Sequence, residues 1–202
     1  MKKIGLSVLL ALGMTSGAAV AAGDSAEPLK ARPFFKAGYA FGGDERSGLE
    51  YDDGSSSDIS AGGGFTIGAG LKFPIQGLDL GKDVGVNLSA AYHGDSATAS
   101  NAEITFDRFE FAIMPFVELN DKVTFAAGVE FHTGVEWSGE DDRSEFSVEY
   151  DASTAIAAEL IFNTNSENIQ WSIKAALVDY SATDFDEEIS GSNVGAFFYW
   201  SM

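Results

Sequence analysis

From residue 35 onward the chain alternates apolar and polar residues with a period of two. In FKAGYAF, Phe35, Ala37, Tyr39 and Phe41 share one face, with Lys36, Gly38 and Ala40 on the other. In FTIGAGLKF, Phe65, Ile67, Ala69, Leu71 and Phe73 alternate with Thr66, Gly68, Gly70 and Lys72. The same beat sets Val84, Val86, Leu88, Ala90 and Tyr92 on one side of VGVNLSAAY, and Val123, Phe125, Ala127, Val129 and Phe131 on one side of VTFAAGVEF. It sets Ile169, Trp171, Ile173, Ala175 and Leu177 on one side of IQWSIKAAL. Around 104–117, Phe109, Phe111, Ile113 and Val117 oppose Arg108, Glu110, Ala112 and Met114. Around 148–162, Val148, Tyr150, Ala152, Thr154, Ile156, Ala158, Leu160 and Phe162 oppose Glu149, Asp151 and Glu159. Near the end, Val194, Ala196, Phe198 and Trp200 share a face. Such alternation over about nine residues is the signature of a β-strand with two unlike faces.

The pattern predicts eight strands, and the connections differ in kind. Tighter ones (PIQGLDLGKD, NDK, NTNSEN) follow strands two, four and six, while polar, mostly acidic links follow strands one, three, five and seven. GGDERSGLEYDDGSSSD is the longest of the polar links and GDSATASN the shortest. Short turns at one end and longer loops at the other describe an all-β, eight-stranded, antiparallel up-and-down transmembrane barrel. The alternative is a soluble lipocalin-like barrel with its apolar face turned inward around a ligand. An eight-stranded barrel encloses just enough room for side chains. Gly, Ala and Ser with a few charges fit that interior, and the bulky aromatic face fits lipid.

Within the last strand, NVGAFFYW carries Asn193, Gly195, Phe198 and Trp200 in a polar-x-Gly-x-x-apolar-x-aromatic pattern. This resembles the C-terminal signal of bacterial outer-membrane barrels, read by the barrel-assembly machinery, although Ser201 and Met202 follow the usual terminal aromatic. The chain after residue 31 thus resembles the small eight-stranded outer-membrane β-barrel proteins, the group that includes OmpX and the OmpA transmembrane domain. The resemblance implies an internal salt-bridge network and, as partners, outer-membrane lipid, lipopolysaccharide and the assembly machinery. A monomer is expected, and the extracellular partner is left open.

Residues 1–22 read as a cleaved signal peptide: Lys2 and Lys3, the apolar run IGLSVLLALGM, then AVAA. That run is too short for a spanning helix. Residues 23–31 would be a short periplasmic segment and 32–202 the barrel, placed in the cell outer membrane. Composition agrees: the 202 residues include 23 Gly and 16 Phe but only 4 Pro, which suits a tightly packed sheet. There is no cysteine, hence no disulfide framework or thiolate chemistry. The formal charge of −19, becoming −21 once Lys2 and Lys3 are lost, argues against nucleic acid.

Parity directs Lys36, Lys72, Asn87, Arg108, Glu110, Glu130, His132, Glu159 and Lys174 into the lumen. Of these, Lys36, Lys72, Arg108, Glu110, Glu130, Glu159 and Lys174 form a candidate charge network, near balance and suited to mutual pairing. A locking plug and a gate for a small conductance are both compatible with it. Catalysis of lipid modification would need Ser, His and a carboxylate together. His93, Asp95 and Ser96 supply those types at a loop start and nothing else specifies a site, so no enzyme activity, cofactor or metal is expected.

The outer links carry Asp44, Glu45, Glu50, Asp52, Asp53 and Asp58, then Glu136, Glu140, Asp141, Asp142 and Glu145, then Asp184, Asp186, Glu187 and Glu188. Their acidity serves solvation and repulsion, or a divalent cation shared with lipopolysaccharide phosphate. The sequence therefore points to a closed scaffold with acidic extracellular loops for surface interaction or envelope integrity. A narrow porin-like channel is the alternative.

Overall fold

The computed structural model describes residues 31–50, 56–75, 83–99, 102–141, 144–166 and 168–202. The expected signal peptide, most of the 23–31 segment, and Asp52, Asp53 and Asp142 lie outside them. Eight strands close into a ring: β1 (Arg32–Gly42), β4 (Gly64–Ile75), β5 (Val84–Thr98), β6 (Ala102–Asn120), β7 (Val123–Asp141), β9 (Ser153–Asn163), β10 (Ile169–Leu177) and β13 (Asn193–Ser201). Each pairs antiparallel with the next, and β13 pairs with β1 from Asn193 opposite Gly42 to Ser201 opposite Phe34. Shorter strands at the loop end complete the set: β2 (Glu45–Glu50) with β3 (Ser56–Ser60), β8 (Glu145–Tyr150) against β7, and β11 (Asp179–Ser181) with β12 (Glu188–Ser190).

Both chain ends of the barrel lie at the turn end, as an even number of strands requires. The turn between β6 and β7 is two residues long. The Asn120 carboxamide oxygen accepts from the amides of Lys122 (2.9 Å) and Val123 (3.1 Å), which gives the reversal its own hydrogen bonds.

The outward face is apolar all round. Phe35, Ile67, Leu88, Phe111, Ile113, Phe131, Leu160, Ile173 and Phe198 all stand exposed on it, Phe198 at 66 %. A continuous girdle of this size is costly in water and fits hydrocarbon. The inward face is not confined to small and charged residues. Phe34, Phe116, Phe197 and Tyr199 are buried there. They fit because neighbouring inward positions are glycine: a Cβ on Gly70 would collide with the Phe34 ring, and one on Gly38 with Phe197.

Three features depart from the sequence reading. First, β6 and β7 run for 19 residues each, against the 9 of β10 and β13 and the roughly 9–11 that span a membrane. Much of GDSATASN and of the third link is therefore strand. Once β5 and β6 pair, extending the ladder satisfies their backbone groups and overrides the weak strand propensity of Gly, Asp and Ser.

Second, hydrophobicity changes face along these long strands. In β6 the outward residues Ile113, Phe111 and Phe109 give way to Asp107, Thr105 and Glu103, while the inward ones become Phe106 and Ile104. In β7 a bulge at Gly134, whose φ of +59° suits glycine, lets Val135 point inward.

Third, the 148–162 run is not one face. The ladder breaks at Asp151 and Ala152, so Tyr150 packs inward at 5 % exposure while Ile156 faces outward at 69 %. The interruption resets the alternation.

The girdle predicts that Ile113→Arg, midway along the outward face of β6, destabilises the barrel by about 2–4 kcal/mol. Urea unfolding in lipid vesicles measures this, and an unchanged midpoint would place Ile113 away from hydrocarbon.

Candidate functional site

The buried charged side chains gather in the lumen between the middle of the barrel and its loop end. Arg108 and Glu110 come from β6, Glu130 and His132 from β7, Glu159 from β9, Lys174 from β10, Lys36 from β1 and His93 from β5, all nearly or wholly buried. Inward alternation turns them all into the lumen, since each strand of the barrel contributes every second residue, and the strand register sets their level.

The pairs are specific. The Lys174 ammonium donates to both Glu130 oxygens, at 2.8 and 3.0 Å, and lies 3.6 Å from Glu110 Oε2. Arg108 Nε donates to Glu110 Oε1 at 3.1 Å, and its Nη1 donates to the Ala61 carbonyl at 2.8 Å. Glu110 Oε1 is also 3.2 Å from His93 Nδ1. Glu159 accepts from the hydroxyls of Ser172 (2.5 Å) and Tyr199 (2.7 Å). Lys36 lies within electrostatic range of Lys174, Glu130, Glu110 and Glu159 but joins none of the ion pairs seen among the described residues. Lys72 stands apart, paired with Glu118 at 3.0 Å toward the turn end. Asn87 faces it across β4 and β5.

Three buried cations (Lys36, Arg108, Lys174) thus meet three buried carboxylates (Glu110, Glu130, Glu159). That balance lets a low-dielectric interior tolerate them, because each charge finds opposite charge or a hydrogen bond nearby. Glu110, Glu130 and His132 could also, by type, hold a metal, with ligand atoms within 4.8 Å of one another. The Lys174 ammonium already bridges the two carboxylates, and a divalent ion would have to displace it beside Arg108.

A lid closes the plug. Tyr180, from the β11–β12 hairpin, reaches into the lumen and its hydroxyl meets His132 Nδ1 at 2.6 Å. Burial pushes the Tyr180 hydroxyl up from its usual range, so it remains protonated. Tyr180 packs with Phe106, Tyr150, Ile59, Val135 and Ile189 in an apolar core above the charges. Salt and hydrogen bonds tie the loops over it: Arg46 to Glu187 at 2.9 Å, Asp44 Oδ2 accepting the Ser190 amide at 2.8 Å, and the Thr183 hydroxyl donating to Asp151 at 3.1 Å. The Arg46 guanidinium also lies 4.5 Å from the centre of the Trp137 ring. The sequence reading missed this cap. Its signal was the exchange of faces at Asp107 and Phe106, where apolar residues turn inward.

His93, Asp95 and Ser96 do not converge. The His93 Nε2–H donates to the Gly63 carbonyl at 2.6 Å, and Nδ1 lies 2.9 Å from the Thr66 hydroxyl. Asp95 Oδ2 accepts the Ser60 amide at 2.9 Å, and Ser96 points outward. Both imidazole nitrogens are committed to buried neighbours, which leaves no free base beside a nucleophile. Of the four residues that the sequence suggests as an assembly signal, Asn193 and Gly195 face the lumen while Phe198 and Trp200 stand on the outer girdle.

The ion pairs predict an asymmetry. Glu130→Ala, which removes both hydrogen bonds of the Lys174 ammonium and leaves it only Glu110 at 3.6 Å, costs about 3 kcal/mol, the lower end for breaking a buried pair. The double change Glu130→Leu with Lys174→Met recovers most of that loss, because no charge is left unpaired. Equilibrium unfolding in detergent micelles measures both, and additive losses would show that the two side chains do not act as a pair.

No family model and no curated protein matches the sequence. Solved structures match in fold. Neisserial surface protein A (NspA) superposes over 85 % of this chain and 97 % of its own, at 10 % identity and a TM-score of 0.50. Ail, the attachment invasion locus protein of Yersinia pestis, aligns over 85 % of this chain and all of its own, at 18 % identity and a TM-score of 0.45. With its ring of eight antiparallel strands, its apolar girdle and the NspA superposition, the chain has the fold of the small eight-stranded outer-membrane β-barrels.

Proposed function

We propose that this protein is an integral outer-membrane barrel that acts as a closed scaffold and presents a folded acidic cap to the cell exterior. The plug carries the reading. Arg108, Glu110, Glu130, His132 and Lys174 fill the lumen at 4 % exposure or less, with Tyr180 above them. A conducting path would be lined by one sign of charge or held open by a wider ring. Here opposite charges consume one another across the bore.

Function then resides in the cap. Above the plug the described residues expose Asp58, Glu103, Glu140, Glu145, Asp179, Asp184, Asp186 and Glu188, while the Arg46 side chain is largely buried against Glu187 and Trp137. Surface interaction or envelope integrity suits this arrangement, since recognition sits on connections held by a rigid frame. On this reading the girdle contacts outer-membrane lipid and lipopolysaccharide. Asn193, Gly195, Phe198 and Trp200 serve as the assembly signal: Phe198 and Trp200 project from β13, the strand that must find β1.

Planar-bilayer recording tests the scaffold reading. The purified barrel should be silent or show rare, small openings, made more frequent by Glu130→Ala or Arg108→Ala. Steady, large single-channel currents from the unmodified protein would establish the channel instead.

A further inference from the structure

Below the plug, the lumen opens at the turn end into a chamber that the scaffold function leaves unused. Its mouth, half open to solvent, offers about 330 Å³, at the lower end of the range for small-molecule sites. Arg32, Lys72, Glu118 and Gln170 line it. Lys72 and Gln170 also line a narrow inner end of about 20 Å³, together with Asn87, Thr124 and the ring pair of Phe34 and Tyr199. That inner space admits one group the size of a water molecule.

The lining has a definite chemistry. In a chain of formal charge −19, this chamber carries two cations and one carboxylate. The Lys72 ammonium is held in place, 4.5 Å from the centre of the Phe116 ring and 3.0 Å from Glu118. Arg32, the first residue of β1, joins none of the ion pairs seen among the described residues. At the inner end, the Thr124 hydroxyl is buried, its residue 2 % exposed, and it has no hydrogen-bond partner among the described residues. The side-chain oxygen of half-buried Asn87 is itself buried and likewise has no partner among the described residues. A buried acceptor left unpaired is costly, so this end is built for a donor to arrive. Asn87 stands directly opposite Lys72 across β4 and β5. A ligand must therefore place an anion and a hydrogen-bond donor only a few bonds apart.

We propose that the chamber binds the C-terminal residue of a short peptide. Its carboxylate would lie against Lys72 and Arg32, and the amide N–H on the same α-carbon would donate to Asn87 Oδ1, with Thr124 beside it. A free amino acid has the same spacing, but its ammonium would bring a further cation against Lys72, so the peptide binds more tightly. Glu118 competes with the ligand carboxylate for Lys72.

The test is titration of the folded full-length barrel in detergent micelles with trialanine, trialanine C-terminal amide, alanine and inorganic phosphate, followed by isothermal calorimetry. Trialanine should bind, and its amide should bind at least about tenfold more weakly, the loss expected for one charge-assisted hydrogen bond. Lys72→Gln should abolish binding and Glu118→Gln should tighten it, an effect that a purely structural Lys72–Glu118 pair would not produce. If Lys72→Gln fails to fold, Arg32→Gln, at an exposed strand end, should still weaken trialanine. Equal binding of acid and amide, tighter binding of alanine or phosphate than of trialanine, or no binding of trialanine would each overturn the proposal.

Discussion

A strand in hydrocarbon has no water to satisfy its backbone, so every N–H and C=O along it must find another strand. The pairing of β13 with β1, from Gly42 and Asn193 to Phe34 and Ser201, meets that demand by removing the last open edge. The other features follow from closure. An even number of strands puts both ends of the barrel at the turn end. Eight of them fix a bore that side chains alone can fill. The outer surface becomes one uninterrupted girdle, since no strand has a second sheet to hide against.

The narrow bore then dictates what stands inside it. Aromatic rings enter only where a neighbouring strand offers glycine, as Phe34 does over Gly70 and Phe197 over Gly38. Charges enter only in balance. Lys174 between Glu130 and Glu110, with Arg108 completing Glu110, lets one layer of the barrel be polar without solvent. The same layer explains the cap. A plug just below the rim needs cover from water, and Tyr180, Phe106 and Tyr150 supply it as an apolar core outside the girdle.

How much of this the sequence revealed depends on what parity can carry. The eight staves were legible because bulky residues at Phe35, Ile67, Leu88, Phe111 and Ile173 repeat with period two against small or charged ones. Parity also placed Arg108, Glu110, Glu130, His132 and Lys174 on one face. It could not give distances, so it did not distinguish Lys174, which bridges two carboxylates, from Lys36, which joins no ion pair among the described residues. Nor did it survive interruption. An unbroken count puts Val135 and Trp137 on the lipid side with Phe131, yet the extra residue at Gly134 turns them inward. The break at Asp151 does the same to Tyr150. The cap was hidden because its residues obey the same period as the girdle with the faces exchanged, and only a known membrane boundary separates the two.

That exchange of faces at Asp107 is the point where the account is most exposed to experiment. The chain has no cysteine, so single spin-labelled cysteines can be placed along β6 without background. Collision with oxygen, which concentrates in lipid, and with a water-soluble nickel chelate then reports the surroundings of each label in bilayers. Labels at 109, 111 and 113 should respond to oxygen alone, and labels at 103 and 105 to the chelate. Labels at 104 and 106 should be shielded from both. Chelate access at 111 or 113, or free access at 104 and 106, would contradict a lipid-facing girdle that gives way to a packed cap.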